Sequence, residues 1–271
     1  MENTNEINTI ESKLTKSKED YLKWILQIAG GLFILYYLIL SILAPVKTFK
    51  TINTTYQLND SILSAMINTN SDADSMVALN TYLQSKVKLI DYDSICLSIN
   101  LTDSILNLEL QGVVIHQVSI KKIKFSRLFK KLAPEIKYQY LSSPFTIIDY
   151  YSTIPKVPIV VKHAPRDTTE ANQINSVPEI PKEDYVHYTL KFDKQLVLIF
   201  DQFEKPEHRH FFISLSARLG KKWRFFKKIV VAGVQFQIPD YELWMKIEIP
   251  SSDAKTIFRA LPENAPMTLK L

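Results

Sequence analysis

Between Trp24 and Val46 the chain carries no charged residue, and the twenty positions from Trp24 to Leu43 are almost all apolar. At 1.5 Å per residue, twenty helical residues reach about 30 Å, the thickness of a bilayer's hydrocarbon core. The stretch predicts one transmembrane helix over residues 21–46, with everything after it held beside a membrane. A secretory signal has a shorter apolar run, about 7 to 15 residues, and ends in small residues at the cleavage site. Here the only small candidate is Ala44, with Ile42 two residues before it and Pro45 immediately after. The segment therefore reads as a retained anchor.

Flanking cations give an orientation. Lys13, Lys16, Lys18 and Lys23 precede the helix, whereas only Lys47 and Lys50 follow it before Lys86. The positive-inside rule then places a short N-terminus in the cytoplasm and the C-terminal region in the periplasm, with the helix in the inner membrane. Within the helix, 100° spacing aligns Gln27, Gly30, Gly31, Ile34, Tyr37 and Ser41 on one side. Small and hydrogen-bonding residues in such a row let two helices approach, so the row is a candidate interaction stripe, for self-association or for a foreign helix.

The net charge of +5 lies entirely after residue 184, where 14 Lys and Arg face 9 Asp and Glu. Two basic-aromatic segments stand out: KKIKFSRLFKK from Lys121 and KKWRFFKK from Lys221. The candidate basic surface comprises Lys121, Lys122, Lys124, Arg127, Lys130, Lys131, Arg218, Lys221, Lys222, Arg224, Lys227 and Lys228. Either the apolar members enter a core and the cations are solvated, or the segments meet acidic partners or anionic lipid. A single cysteine, Cys96, excludes an intramolecular disulfide, and with no base beside it the thiol reads as structural. Five glycines, two of them in the apolar helix, leave no loop able to cradle a phosphate.

Periodicity orders the rest. Residues 1–20 form a polar tail that lacks the apolar surface to fold alone, although Glu11 to Lys23 can extend the helix. Residues 47–91 read as a helical stalk: Met76, Leu79, Leu83, Val87 and Ile90 recur at three or four, after a break at Asn70 to Asp74. Such a narrow stripe needs cover, from a partner helix or from the chain's own body. Residues 92–150 form a first β-rich module, with a hairpin of Ile95 to Leu101 and Leu106 to Leu110 turning at Asp103 and Ser104. Six of the thirteen prolines fall between Pro144 and Pro181, making 151–184 a Pro-rich linker, or else an ordered loop with an edge strand at Ile159 to Val161. Residues 185–271 form a basic β-rich module. Its hairpin turns at Asp193 to Gln195, strands are expected at 211–215, 223–231, 234–238, 244–249 and 267–271, and a short helix runs from Ser252 to Arg259. The similar layout of the two modules suggests duplication, against the alternative that alternating hairpins simply look alike. The predicted class is thus a single-span membrane protein with a stalk and a β-rich α+β extramembrane region.

Chemistry is sparse. His208 and His210, with Glu204 and Glu207 nearby, have ligand types at strand spacing, but no second pair completes a metal set, so a surface loop is the better reading. No hydrolase, metalloprotease or phosphate-loop motif is present, and no cofactor is implied. The segment SINLTDSILNLELQG, Ser98 to Gly112, resembles the opening hairpin of bacterial L,D-transpeptidase domains. The Ser-His-Gly-Cys motif that carries that family's nucleophile is missing, and Cys96 has no His beside it, so neither activity nor residues follow.

The whole layout resembles single-span accessory components of bacterial secretion machines, type VI among them. That resemblance implies a structural or scaffolding role in an envelope assembly, through protein contacts of the helix, stalk and β modules. Two other readings remain open: an envelope enzyme acting on wall or lipid with a site scattered through the sequence, and a nucleic-acid binder, which requires a cytosolic C-terminal region and is not expected in the favoured orientation.

Overall fold

The computed structural model describes residues 2–56, 71–156, 185–204 and 211–271. The element order is α1 (Glu2–Thr55), α2 (Ser71–Ile90), β1 (Cys96–Asn100), β2 (Ile105–Leu110), β3 (Val113–Ser119), β4 (Lys122–Phe125), α3 (Arg127–Lys131), α4 (Pro134–Leu141), β5 (Phe145–Ser152), β6 (His187–Phe192), β7 (Leu196–Gln202), α5 (Phe211–Val234), β8 (Leu243–Ile249), α6 (Ser251–Ala260) and β9 (Pro266–Lys270). The chain divides into two compact units. One is Met1–Lys47 with Trp223–Asp240, and the other is Thr48–Lys222 with Tyr241–Leu271.

In the first unit, α1 is unbroken from Glu2, so the polar tail expected at 1–20 is helical rather than disordered. Its Lys23–Thr55 portion is long and apolar enough to cross a membrane. Trp24, Leu26, Leu32, Phe33, Ile34, Leu35 and Leu38 all point outward. Pro45 sits inside the helix, where it cannot donate to the carbonyl four residues back. Beside α1 lies the end of α5. Three strands were expected over Phe211 to Ile238, and the structure replaces them with one helix to Val234 followed by an extended return. Local β-branched and aromatic residues misled there, because hydrogen bonding closes within the segment instead of across a ladder.

The second unit is built on one nine-stranded sheet in the order β3-β2-β1-β9-β5-β6-β7-β8-β4. Both hairpins form where the alternation placed them. Ile99 faces Leu106 in the first and Leu190 faces Leu198 in the second. Their turns hold residues at positive φ, Ser104 in one and Lys194 with Gln195 in the other. The expected separation into modules 92–150 and 185–271 does not survive. β9, from the end of the chain, lies parallel to β1 and antiparallel to β5, while β4 pairs with β8. Strand β5 is the junction: Phe145 and Thr146 join β9, while Ile147 and, after a register shift, Asp149–Ser152 join β6. Duplication also loses its basis, since KKIKFSRLFKK is strand β4 plus α3 and KKWRFFKK lies within α5.

One face of the sheet carries the core. Leu97, Ile99, Leu106, Tyr188, Leu198, Phe200, Ile247 and Met267 are packed with Ile257 and Phe258 of α6, Phe129 of α3 and Tyr140 of α4. Tyr188 stacks on Phe200 at 4.7 Å and meets Phe258 at 5.0 Å. Short helices start where local chemistry allows: Ser126 caps α3 by accepting the Phe129 N–H at 3.2 Å, and Pro134 opens α4. Helix α6 spans the predicted stretch and receives its N-terminal cap from a distance, Glu204 Oε2 accepting the Ser251 N–H at 2.9 Å.

Candidate functional site

Helix α2 lies against β9 and α4 of its own unit, as the shorter-range of the two expected arrangements requires. It does so with the opposite face from the one periodicity selects. Met76, Leu79, Leu83, Val87 and Ile90 are exposed, while Thr81, Tyr82, Ser85 and Leu89 are buried. The reason is the sheet surface beneath. Ser98 and Thr268, adjacent in the β1/β9 ladder, are both fully buried on the side away from the main core. Tyr82 Oη meets Ser98 Oγ at 2.8 Å, and Thr268 Oγ1 meets Ser85 Oγ at 2.7 Å. Buried hydroxyls need partners, and only the polar side of α2 supplies them. Lys86 adds an ion pair with buried Glu109 at 3.1 Å. Cys96 lies opposite Glu109 in the β1/β2 register and is buried; burial, then the nearby Glu109 charge, pushes its thiol up to about 11. The thiol is structural, as its surroundings in sequence suggest.

The apolar stripe of α2 does not stop at the helix end. Ile90 abuts the β2–β3 turn, where a Cβ on Gly112 would stand 3.4 Å from Ile90 Cγ1. From that turn Leu110, Val113, Val114 and Ile115 continue the exposed apolar surface. β3 is also an edge strand, and VVIHQVS carries neither Pro nor Lys nor a carboxylate. Natural sheets usually guard an edge with such residues. The opposite edge, β4, is short and presents Lys122 and Lys124.

A second cluster lies on β6, β7 and β8. Asp201 is buried and receives a hydrogen bond from the Tyr185 hydroxyl; Lys246 Nζ is 2.8 Å from its other oxygen and 2.9 Å from Glu248. His187 Nδ1 stands 3.6 Å from Asp201, beyond hydrogen-bond range, with its ring stacked parallel to Tyr185. Burial alone would raise the Asp201 carboxyl, but the close Lys246 ammonium and Tyr185 hydroxyl, with the imidazole of His187 facing it at longer range, outweigh it and hold it at about 2. For Lys246 burial is likewise outweighed, by Asp201 and Glu248, and its ammonium is held above the ordinary range. The charges satisfy one another, which fits a strut between strands better than a reactive centre. An open cleft of about 530 Å³ lies elsewhere in the unit, with Asp93, Lys156, Arg259 and Glu263 on its walls. Among the described residues no group of His, Cys, Asp and Glu could hold a metal ion. His208 and His210 lie outside the described residues.

Of the helix stripe, Gln27, Gly30, Gly31 and Ile34 are exposed, and a Cβ at either glycine would meet nothing within 4 Å. Tyr37 and Ser41 are half-buried. Tyr37 lies against Gly233 of the same chain, a neighbour that periodicity could not reveal. Lys121, Lys122, Lys124, Arg127, Lys130 and Lys131 are all exposed, while Ile123, Phe125, Leu128 and Phe129 enter or border the core. That is the solvated-face arrangement. Arg224 is half-buried and Lys227 and Lys228 are exposed; the side chains of Arg218, Lys221 and Lys222 lie outside the described set. Comparison of the chain with protein-family models, with curated proteins and with solved structures finds no match in any of the three.

Proposed function

We propose that the chain is a membrane-anchored structural or scaffolding component of a bacterial envelope assembly, comparable in layout to the single-span parts of secretion machines. In this reading the Lys23–Thr55 region of α1 crosses the inner membrane once, the N-terminus is cytoplasmic, and the α+β body is periplasmic and binds neighbouring envelope proteins. One observation carries the reading: the body turns the apolar stripe of α2 and the unguarded β3 edge outward as one continuous surface. Contiguous exposed apolar surface beside an open strand edge is what a protein partner covers, by packing on the helix and extending the sheet.

The test is site-specific photocrosslinking of the full-length protein in native membranes. A photoreactive residue at Val87 or Val114 is expected to give one or a few discrete adducts, whereas one at Lys130 gives none. Equal, diffuse labelling at all three positions would sink the proposal. An alkaline phosphatase reporter fused after Leu271 should be active. A reporter that works only in the cytosol would reverse the orientation and bring nucleic acid back as a ligand.

A further inference from the structure

The end of α5 presents an arrangement that an exported soluble domain has no use for. The helix closes with Gln235 N–H to Val231 O at 3.1 Å, Phe236 N–H to Gly233 O at 3.2 Å and Gln237 N–H to Ala232 O at 2.8 Å. The last of these spans six residues and marks a Schellman closure, which places the next-to-last residue in the left-handed region and so favours glycine. Here that residue is Phe236, with φ at +53° and 88% of its surface exposed. A bulky side chain in a conformation it avoids persists only where its surroundings hold it there.

Those surroundings are set by what the tip lies against. Tyr36 Oη donates to Gly233 O at 3.0 Å, and Gly233 is so close to Tyr37 that a Cβ would fall 2.5 Å from its ring. Tyr36 and Tyr37 are inside the apolar run of α1. From Phe236 the chain returns to Asp240, where Lys47 Nζ donates to Ile238 O at 3.0 Å and pairs with Asp240 at 2.8 Å. Residues 36 and 47 are about 16 Å apart along a helix axis, close to half of a hydrocarbon core of about 30 Å. The segment therefore follows one leaflet's depth of α1. Towards the tip Val231, Val234 and Phe236 are exposed, with Gln235 and Gln237 exposed beside Phe236; Trp223, Phe226, Lys227 and Lys228 are exposed towards the level of Lys47. Of the helix-end carbonyls, Val231 O, Ala232 O and Gly233 O are met by backbone donors, and Gly233 O also by Tyr36. A cleft of about 430 Å³ opens at the lysine level, lined by Lys47, Lys227, Lys228 and Asp240, with Val231 and Ile238 on its apolar side.

We propose that residues 223–240 are a re-entrant wedge seated in one leaflet against α1, whose lysine-lined cleft holds the phosphate headgroup of an anionic phospholipid. Lipid covers the exposed apolar tip, and the ammonium groups meet phosphate at the depth where the wedge leaves the hydrocarbon. This inference rests on the membrane-anchor reading of α1.

The full-length protein carrying Phe236→Cys with a spin label separates the two. Native Cys96 is buried and does not compete for the label. In vesicles of phosphatidylcholine and phosphatidylglycerol, the label at 236 should be accessible to oxygen and shielded from an aqueous nickel reagent, unlike one placed at exposed Phe203. Protein that washes off membranes at alkaline pH overturns the anchor itself. Protein that resists washing, but whose 236 label meets nickel as freely as the 203 label, leaves the anchor standing and overturns the wedge. For the headgroup, the Lys227→Gln/Lys228→Gln variant should lose about tenfold of its preference for phosphatidylglycerol over phosphatidylcholine in native mass spectrometry, with the 236 label unmoved. An unchanged preference, or displacement of the lipid by inorganic phosphate at constant ionic strength, overturns the lipid assignment; an adduct of the cleft with a protein in place of lipid does the same.

Discussion

Asp201 shows how a single side chain ties strands together. Its folded carboxyl sits near 2 and an unfolded one near 3.9, so between those values the unfolded chain binds more protons. The stability this residue supplies is therefore complete above about pH 4 and is lost as the pH falls towards 2, an effect of roughly 2–3 kcal/mol. Asp201→Asn should remove that acid-limb dependence and cost about 3 kcal/mol at neutral pH, because Lys246 keeps its charge beside Glu248 but loses its buried partner. Urea denaturation followed from pH 7 to pH 2 measures both, and an unchanged slope below pH 4 in the variant would show that other carboxylates dominate. At the alkaline end the sign reverses. The Lys246 ammonium is held above its unfolded value, so its contribution is full below about pH 10.5 and fades as the pH climbs through the raised folded value. Cys96 gives a second, independent check. A thiol raised to about 11 and buried should resist iodoacetamide in the native protein at pH 8 and react within minutes once the protein is unfolded.

At the level of the element, the two sides of α2 make opposite predictions. Leu83→Asp with Val87→Asp should change stability by no more than about 0.5 kcal/mol, since both residues are exposed, while abolishing adducts formed from that surface. Tyr82→Phe removes the partner of buried Ser98 and should cost about 1–2 kcal/mol. Thermal unfolding of the two variants side by side decides it; a larger loss from the aspartates would mean that the apolar stripe is packed after all. This element also marks where reading the sequence succeeds and where it stops. The helix, both hairpins and α6 are local patterns, visible because apolar spacing and turn residues are written within a dozen positions. Which side of α2 faces inward is not local. It follows from Ser98 and Thr268, 170 residues apart, coming together to form a hydroxyl-bearing surface that only a polar helix face can satisfy. For α5 the difficulty is sharper: IVV and FQI have the residues of strands, and only the neighbouring α1, through Tyr36 and Tyr37, explains a helix ending on an exposed Phe236.

For the whole molecule, the order of the sheet matters more than any one contact. The two halves of the sequence look like separate modules because each contains a complete hairpin, yet no edge of either hairpin closes the sheet. The closing strand is β9, the ninth in chain order, parallel to β1 through Leu97–Met267 and Ile99–Leu269 and antiparallel to β5 through Phe145–Met267. Met267 and Leu269 are almost fully buried, and Thr268 supplies the hydroxyl that holds α2. Removing residues 263–271 should therefore do more than shorten an edge. It separates β1 from β5, exposes both to solvent and leaves Ser85 without its partner, so the remaining sheet loses its common core. The expected outcome is loss of cooperative unfolding and of slow hydrogen exchange in β1, β2 and α2 together. Were the two halves autonomous modules, truncation would leave β6, β7 and β8 fully protected and cost the first half only a few frayed amides. Hydrogen exchange read by mass spectrometry, peptide by peptide, distinguishes a single cooperative sheet from two neighbours that merely touch.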